Sequence, residues 1–173
     1  IGRLDLRAGK KAAALEKFER AIQLEALNGE AHLNLAHDAR MRKDFKSAVR
    51  HVRSALKENS QNKKAYEVLA RVYYDLQRYE LAKLVCLTGL KIDATSPRLH
   101  NTLGLVYLKL EAVRDALRSF EQAIQHAPDF APAQLNIGAI TFNYRDYESS
   151  YRHFSKALEV EPNNRDAALS KAV

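Results

Sequence analysis

Apart from its carboxylates, this 173-residue chain carries few side chains able to hold a metal, shuttle a proton or attack an electrophile: six histidines and one cysteine, Cys86. Their spacing argues against such chemistry. His32 and His37 stand five apart, which on a helix turns them about 140° from one another, so they do not form the two-ligand face that a four-residue spacing gives a zinc site. A single cysteine rules out an internal disulfide and a cysteine-built zinc site, and it leaves the cellular compartment open. There is no glycine-rich phosphate loop, no G-x-S-x-G and no metal-ligand spacing. The expectation is a noncatalytic chain with no cofactor.

Charge is more informative. Lys and Arg number 28 against 21 Asp and Glu, a net charge of +7. Residues 1–78 hold 17 basic and 10 acidic side chains and residues 79–173 hold 11 of each, so the whole excess lies in the first half. There Lys46, Arg50, Arg53 and Lys57 fall at i, i+4, i+7 and i+11, one stripe of a helix without interleaved acids. Such a stripe is either a solvated face or a dock for something anionic, whether nucleic acid, acidic membrane or acidic protein.

The elements that position these residues come from a repeat. Rows of 34 residues align Leu35, Leu69, Leu103 and Ile137, each followed by a small residue: Ala36, Ala70, Gly104, Gly138. Next come Phe45, Tyr79, Val113 and Tyr147; then Ala14, Ala48, Ala82, Ala116 and Ser150; then Phe18, Val52, Cys86, Phe120 and Phe154; then Ala21, Ala55, Gly89, Ala123 and Ala157. Columns that keep size class but not identity are what packing demands, and Cys86 in the Phe column reads as a small buried hydrophobe. Within each row the apolar residues recur at helical spacing, as in Leu103, Val106, Tyr107 and Leu110, which predicts two helices per row. Asn28, Asn62, Ser96 and Asn164 are placed to cap first helices, and Pro97 sits where a missing N–H is harmless. The predicted helices are 11–25, 29–42, 45–58, 63–76, 79–92, 97–110, 113–126, 131–144, 147–160 and 165–173. No apolar run reaches the length of a membrane span, and the N-terminal residues lack the apolar core of a signal peptide. A start at Ile1 suggests a piece of a longer protein.

The period and the slots Leu-small, aromatic or aliphatic, Ala, Phe, Ala, Pro resemble the tetratricopeptide repeat, a 34-residue helix-turn-helix unit. The resemblance covers nearly the whole chain as one array: a partial repeat at 1–28, complete repeats at 29–62, 63–96, 97–130 and 131–164, and the first helix of a further repeat, or a cap, at 165–173. It implies an all-α, right-handed superhelical solenoid of antiparallel helix pairs, first helices inside and second helices outside. The chain departs from the pattern where a large aromatic is expected early in the first helix, with His32, Tyr66, His100, Gln134 and Ala168, and at Lys171 in a Leu slot. Ser60 and Ala94 replace the terminal Pro.

The family geometry would project Arg3, Arg7, Asn34, His37, Arg40, Lys64, Arg71 and Tyr74 inward in the first half, diluted by Glu30, Glu67 and Asp75. Farther along it would project Asn101, Thr102, Leu105, Leu108, Leu135, Asn136, Ala139, Phe142 and Asn143. The implied function is a protein-interaction scaffold whose groove seats a partner peptide, with Arg and His taking acidic groups, Leu and Phe taking apolar anchors, and Asn amides bonding to backbone. The family's clamp for chaperone tails is incomplete: Asn34 and Lys64 fit, but Arg3 and Val68 stand where Asn and Arg are needed. The asparagine ladder of protein O-GlcNAc transferases is matched at Asn34 and Asn136 and broken at Val68 and Thr102. Basic and aromatic residues are not interleaved as base stacking requires, which argues against nucleic acid. A structural spacer, or further repeats or self-association at the chain ends, completes the set of alternatives.

Overall fold

A computed structural model describes residues 11–24 and 28–163. Arg3, Arg7, the cap Asn164 and the helix expected at 165–173, with Ala168 and Lys171, lie outside the described residues. Nine α-helices and no strand are present among the described residues: α1 Lys11–Leu24, α2 Gly29–Met41, α3 Phe45–Glu58, α4 Lys63–Asp75, α5 Tyr79–Ile92, α6 Pro97–Lys109, α7 Val113–His126, α8 Ala131–Asn143 and α9 Tyr147–Val160.

The helix ends follow from local chemistry. The side chains of Asn28, Asn62 and Ser96 accept hydrogen bonds from the amides of Ala31, Ala65 and Leu99 and so cap α2, α4 and α6. Each first helix closes on a residue with a positive φ, at Lys43, Gln77, Glu111 and Arg145, spaced 34 apart. Around each, two reverse hydrogen bonds satisfy the last carbonyls. In the first, the Lys43 amide donates to the Arg40 carbonyl at 2.9 Å and the Asp44 amide to the Ala39 carbonyl at 2.8 Å. Asp44 then serves as the N-cap of α3, and Asp146 does the same for α9, each accepting from a serine amide three residues on. Hydrogen bonds from Ser47 and Ser149 hold both carboxyls below the usual Asp range. One residue thus ends one helix and begins the next, which explains the tight turn.

Three residues at the aromatic slot make the same contact. Tyr66 Oη donates to the Ser60 carbonyl at 3.1 Å, His100 Nε2 lies 2.8 Å from the Ala94 carbonyl, and Gln134 Nε2 donates to the Pro128 carbonyl at 2.9 Å. At these three slots a long polar side chain reaches six residues back to the preceding turn, whereas His32 in the first unit sets its Nδ1 beside that of His51.

The chain divides into two compact units, residues 1–85 and 86–173, with the division falling within α5. In the first unit the core is a series of small clusters: Ala14, Phe18, Ala31 and Leu35; then Ala36, Val52 and Ala65; then Ala39, Ala48 and Val72. Asp38 stands in the column otherwise filled by Val72, Val106 and Ile140, and is buried. Lys11 Nζ at 2.7 Å and Arg42 Nε at 2.8 Å compensate its charge. In the second unit Ala116, Phe120, Ala123, Ala133, Ile137 and Ile140 form the main cluster. There the small column is required by an aromatic ring: a Cβ added at Gly104 would lie 2.5 Å from the Phe120 ring, and one at Gly138 would lie 2.8 Å from Phe154. Cores made only by neighbouring helices are the mark of a repeat protein.

Candidate functional site

The expected first-helix residues fall into two sets, one in each unit. In the first unit α2 carries Asn34, His37 and Arg40, and α4 carries Lys64, Arg71 and Tyr74. Arg40 Nη1 donates to Asp75 Oδ2 at 2.5 Å, bridging α2 to α4. Asp75 is therefore a specific partner that neutralises Arg40, a role the sequence reading gave it only as general dilution. The Arg71 guanidinium carbon sits 5.7 Å from the centre of the Tyr74 ring, within cation–π range. Tyr74 in turn meets the ring of Tyr79 edge-on at 5.8 Å. Lys64 and His37 are exposed, whereas the Asn34 amide donates to its own helix, at the Glu30 carbonyl, over 2.8 Å. Lys64 and the ring-supported Arg71 are the cations this face offers to an acidic group.

In the second unit the Asn136 amide donates to Asn101 Oδ1 at 3.0 Å, linking α8 to α6. Asn101 is buried, and Thr102 is buried with its hydroxyl donating to the Arg98 carbonyl at 2.9 Å. Leu105 and Leu108 are half-buried against the main core cluster, and Leu135 packs with Leu158 on Ala131 and Ala157. Phe142 meets Tyr147 edge-on at 5.5 Å. These four apolar side chains support the fold with one side and present a remaining half. Both cross-helix bonds, Arg40 with Asp75 and Asn136 with Asn101, join residues 35 apart. The signal for them, one period plus one residue, was present in the sequence.

The basic stripe lies along α3, where Lys46, Arg50, Arg53 and Lys57 are exposed. All four line a groove of about 1060 Å³ that also includes Phe45, Val49, Tyr73 and Leu76. Sequence reasoning found the cations but not the apolar floor, because Tyr73 and Leu76 belong to α4 and its C-cap, outside the periodicity of α3.

The groups considered for catalysis are engaged otherwise. Burial raises the Cys86 thiol to about 12, so it is not a nucleophile at neutral pH. His32 and His51 place their Nδ1 atoms 3.0 Å apart, and His153 Nδ1 lies 2.6 Å from Gln134 Oε1. Burial lowers the pKa of His51, with His32 and Arg50 adding to the effect, and burial also lowers that of His153, with Lys156 and Arg152 contributing. No group of three or more His, Cys, Asp or Glu residues able to hold a metal occurs among the described residues. No helix among them is long and apolar enough to cross a membrane.

The tetratricopeptide repeat family matches the chain over residues 39–105 and again over 97–130. Human tetratricopeptide repeat protein 6 is 24% identical over 160 residues, covering 92% of this chain and 31% of that protein. The chain thus spans about a third of that relative's length. A thermophilic TPR protein of Thermus thermophilus superposes with a TM-score of 0.83 at 23% identity, covering 98% of this chain and 93% of that one. YrrB, a TPR protein with an unusual peptide-binding site, superposes with a TM-score of 0.64 at 19% identity, over 99% of this chain and 89% of its own. The fold is an all-α helical-repeat solenoid. TPR proteins generally act as noncatalytic scaffolds for protein–protein interaction.

Proposed function

This chain belongs to the tetratricopeptide repeat family, and from that premise we propose that it seats a peptide segment of a partner protein on the faces of its first helices. The observation that carries the reading is the meeting of side chains 35 residues apart on successive first helices, Arg40 with Asp75 in one unit and Asn136 with Asn101 in the other. Within each unit such a meeting sets two successive first helices side by side, so that residues one repeat apart lie together. In the first unit Lys64 and Arg71 would take acidic groups of the peptide, with His37 and the neutralised Arg40 on the same pair of first helices. Asn34 and Tyr74 complete the first unit's face; in the second unit Asn136, held by the buried Asn101, supplies an amide, and Leu105, Leu108, Leu135 and Phe142 supply apolar contact for anchor side chains. The peptide-binding site of YrrB lends precedent within the same fold.

The test is selection of binders from a displayed peptide library, followed by titration against variants chosen to spare the fold. Lys64→Glu with Arg71→Glu, and separately Asn136→Ala, should each weaken the selected peptides at least about tenfold, the equivalent of about 1.4 kcal/mol. Leu108 and Phe142 are poor probes, because a charge at either would also unfold the packing it supports. Peptides that bind all of these variants as tightly as the parent protein would exclude the first-helix face.

The groove beside Lys46, Arg50, Arg53 and Lys57 supports a second reading, docking of an acidic partner segment on α3. Four cations against one carboxylate, Asp44, with Phe45, Val49, Tyr73 and Leu76 in the same lining, suit an acidic chain with aromatic or aliphatic side chains. That contact would weaken steeply between low and moderate ionic strength and be abolished by Arg50→Glu with Arg53→Glu. The first-helix site, with its apolar component, would keep most of its affinity.

A further inference from the structure

Helix α5 breaks the rule that the other second helices obey on their solvent side. Positions 13, 47, 81, 115 and 149 read Ala, Ser, Leu, Asp, Ser; positions 16, 50, 84, 118 and 152 read Glu, Arg, Leu, Arg, Arg; positions 19, 53, 87, 121 and 155 read Glu, Arg, Leu, Glu, Ser. Leucine fills all three slots in α5 and none elsewhere. Leu81, Leu84 and Leu87 are 45%, 61% and 40% exposed, while the buried side of the same helix is supplied by Ala82 and Cys86. The middle slot, held here by Leu84, is exposed in every other second helix, and the outer two are exposed or half-buried there and filled by small or charged residues. A contiguous apolar patch of this kind marks an interaction surface.

We propose that α5 forms a homodimer contact, packing antiparallel against α5 of a second copy of this chain. The charges at its two ends select that occupant. Glu80, Leu84, Leu87 and Lys91 stand at i, i+4, i+7 and i+11, a stripe confined to about 60° of the helix surface, and all four are exposed. A two-fold axis between positions 84 and 87 sets Leu84 against the partner's Leu87 and Glu80 against the partner's Lys91, and by symmetry does so twice. A parallel arrangement would oppose like charges at both ends, and a uniformly acidic or basic segment would meet one mismatched end. Within its own helix the exposed Glu80 faces the half-buried Lys83 Nζ at 2.8 Å, and its carboxylate can be shared with an incoming cation. One helix against one helix falls below the roughly 800 Å² per partner of tight complexes, so the dimer dissociates in the micromolar range or above. It uses second-helix residues and stands apart from the first-helix peptide site.

The test is sedimentation velocity of the whole chain over a concentration series from about 1 to 500 µM, a range chosen to bracket a dimer of that strength. The wild type should move from monomer to dimer across the series. Leu84→Arg, which restores the residue found at positions 50, 118 and 152, should remain monomeric throughout with unchanged helicity and Tm. Glu80→Lys and Lys91→Glu should each weaken self-association at least about fivefold, and an equimolar mixture of the two should recover a heterodimer through two matched charge pairs. A wild type that stays monomeric overturns the proposal. So does a dimer that persists in Leu84→Arg, or a mixture of the charge variants that associates no better than either alone.

Discussion

Gly104 offers the sharpest test of the packing argument. A Cβ at this position would lie 2.5, 2.7 and 2.8 Å from three ring carbons of Phe120, which is fully buried among Ala116, Ala123, Ala133, Ile137 and Ile140. The ring is walled in and cannot move aside without displacing those neighbours. Overpacking of this kind costs about 1–3 kcal/mol, and the higher helix propensity of alanine offsets about 0.5–1 of it. Gly104→Ala should therefore destabilise the chain by about 1–2 kcal/mol, lowering Tm by roughly 3–6 °C for a protein of this size. Phe120→Val alone should cost about 2–4 kcal/mol through the cavity it leaves. The double variant recreates the Ala36 and Val52 pairing of α2 with α3, so its loss should fall short of the sum of the singles by at least about 1 kcal/mol. Urea unfolding followed by circular dichroism measures all four species, with matched m-values confirming that the same transition is compared. A Gly104→Ala variant more stable than the parent by about 0.5–1 kcal/mol, as helix propensity alone predicts, would refute the ring contact as the reason for glycine.

Three further outcomes follow from the turns and the histidines. Ala112 is the N-cap of α7 and offers no side-chain cap, so Ala112→Ser should stabilise by about 1 kcal/mol in chemical denaturation. Glu111 has φ 60°, and Glu111→Gly should raise stability by about 0.5–1 kcal/mol by relieving the left-handed conformation, read as a higher urea midpoint at unchanged m. Burial lowers the pKa of His51, His100 and His153 below the ordinary 6.5, partly countered at His100 by the Ala94 carbonyl and reinforced there by His126. The unfolded chain then binds more protons than the native one just below pH 6.5, so stability is full above that value and falls as pH drops through the folded pKa values. Tm measured from pH 7.5 to 5 should show that fall, and His100→Tyr, which copies Tyr66 and its bond to the preceding turn, should make it shallower.

Much of the architecture could be read from the residues. Of the expected helices within the described segments, α3, α5, α7 and α9 begin and end where the spacing put them, and the first helices close one residue early. That last residue is the C-cap preceding the positive-φ position at Lys43, Gln77, Glu111 and Arg145, a conformation no side-chain pattern announces when the residue is not glycine. The Ala and Phe columns are buried, as at Ala48, Val52, Ala116, Phe120, Phe154 and Ala157, whereas the column of Phe45, Tyr79, Val113 and Tyr147 is half-buried to exposed. The candidate surface was less legible. The face of each helix was known, but not which side chains on it already had partners.

What the sequence determined alone is periodic: where helices run, which side of each is apolar, and how large a residue each slot admits. Those properties depend on the 3.6-residue turn and on local capping, both of which act within a few neighbours along the chain. Tertiary structure decided how side chains on that frame are engaged. It spent Arg40 on Asp75, tied Asn136 to Asn101, set Leu108 half into the core and brought Tyr73 and Leu76 into the groove lined by the α3 cations. Each of those outcomes depends on the distance and rotation between two helices, and a difference of an ångström or a rotamer there separates a committed side chain from one left for a partner.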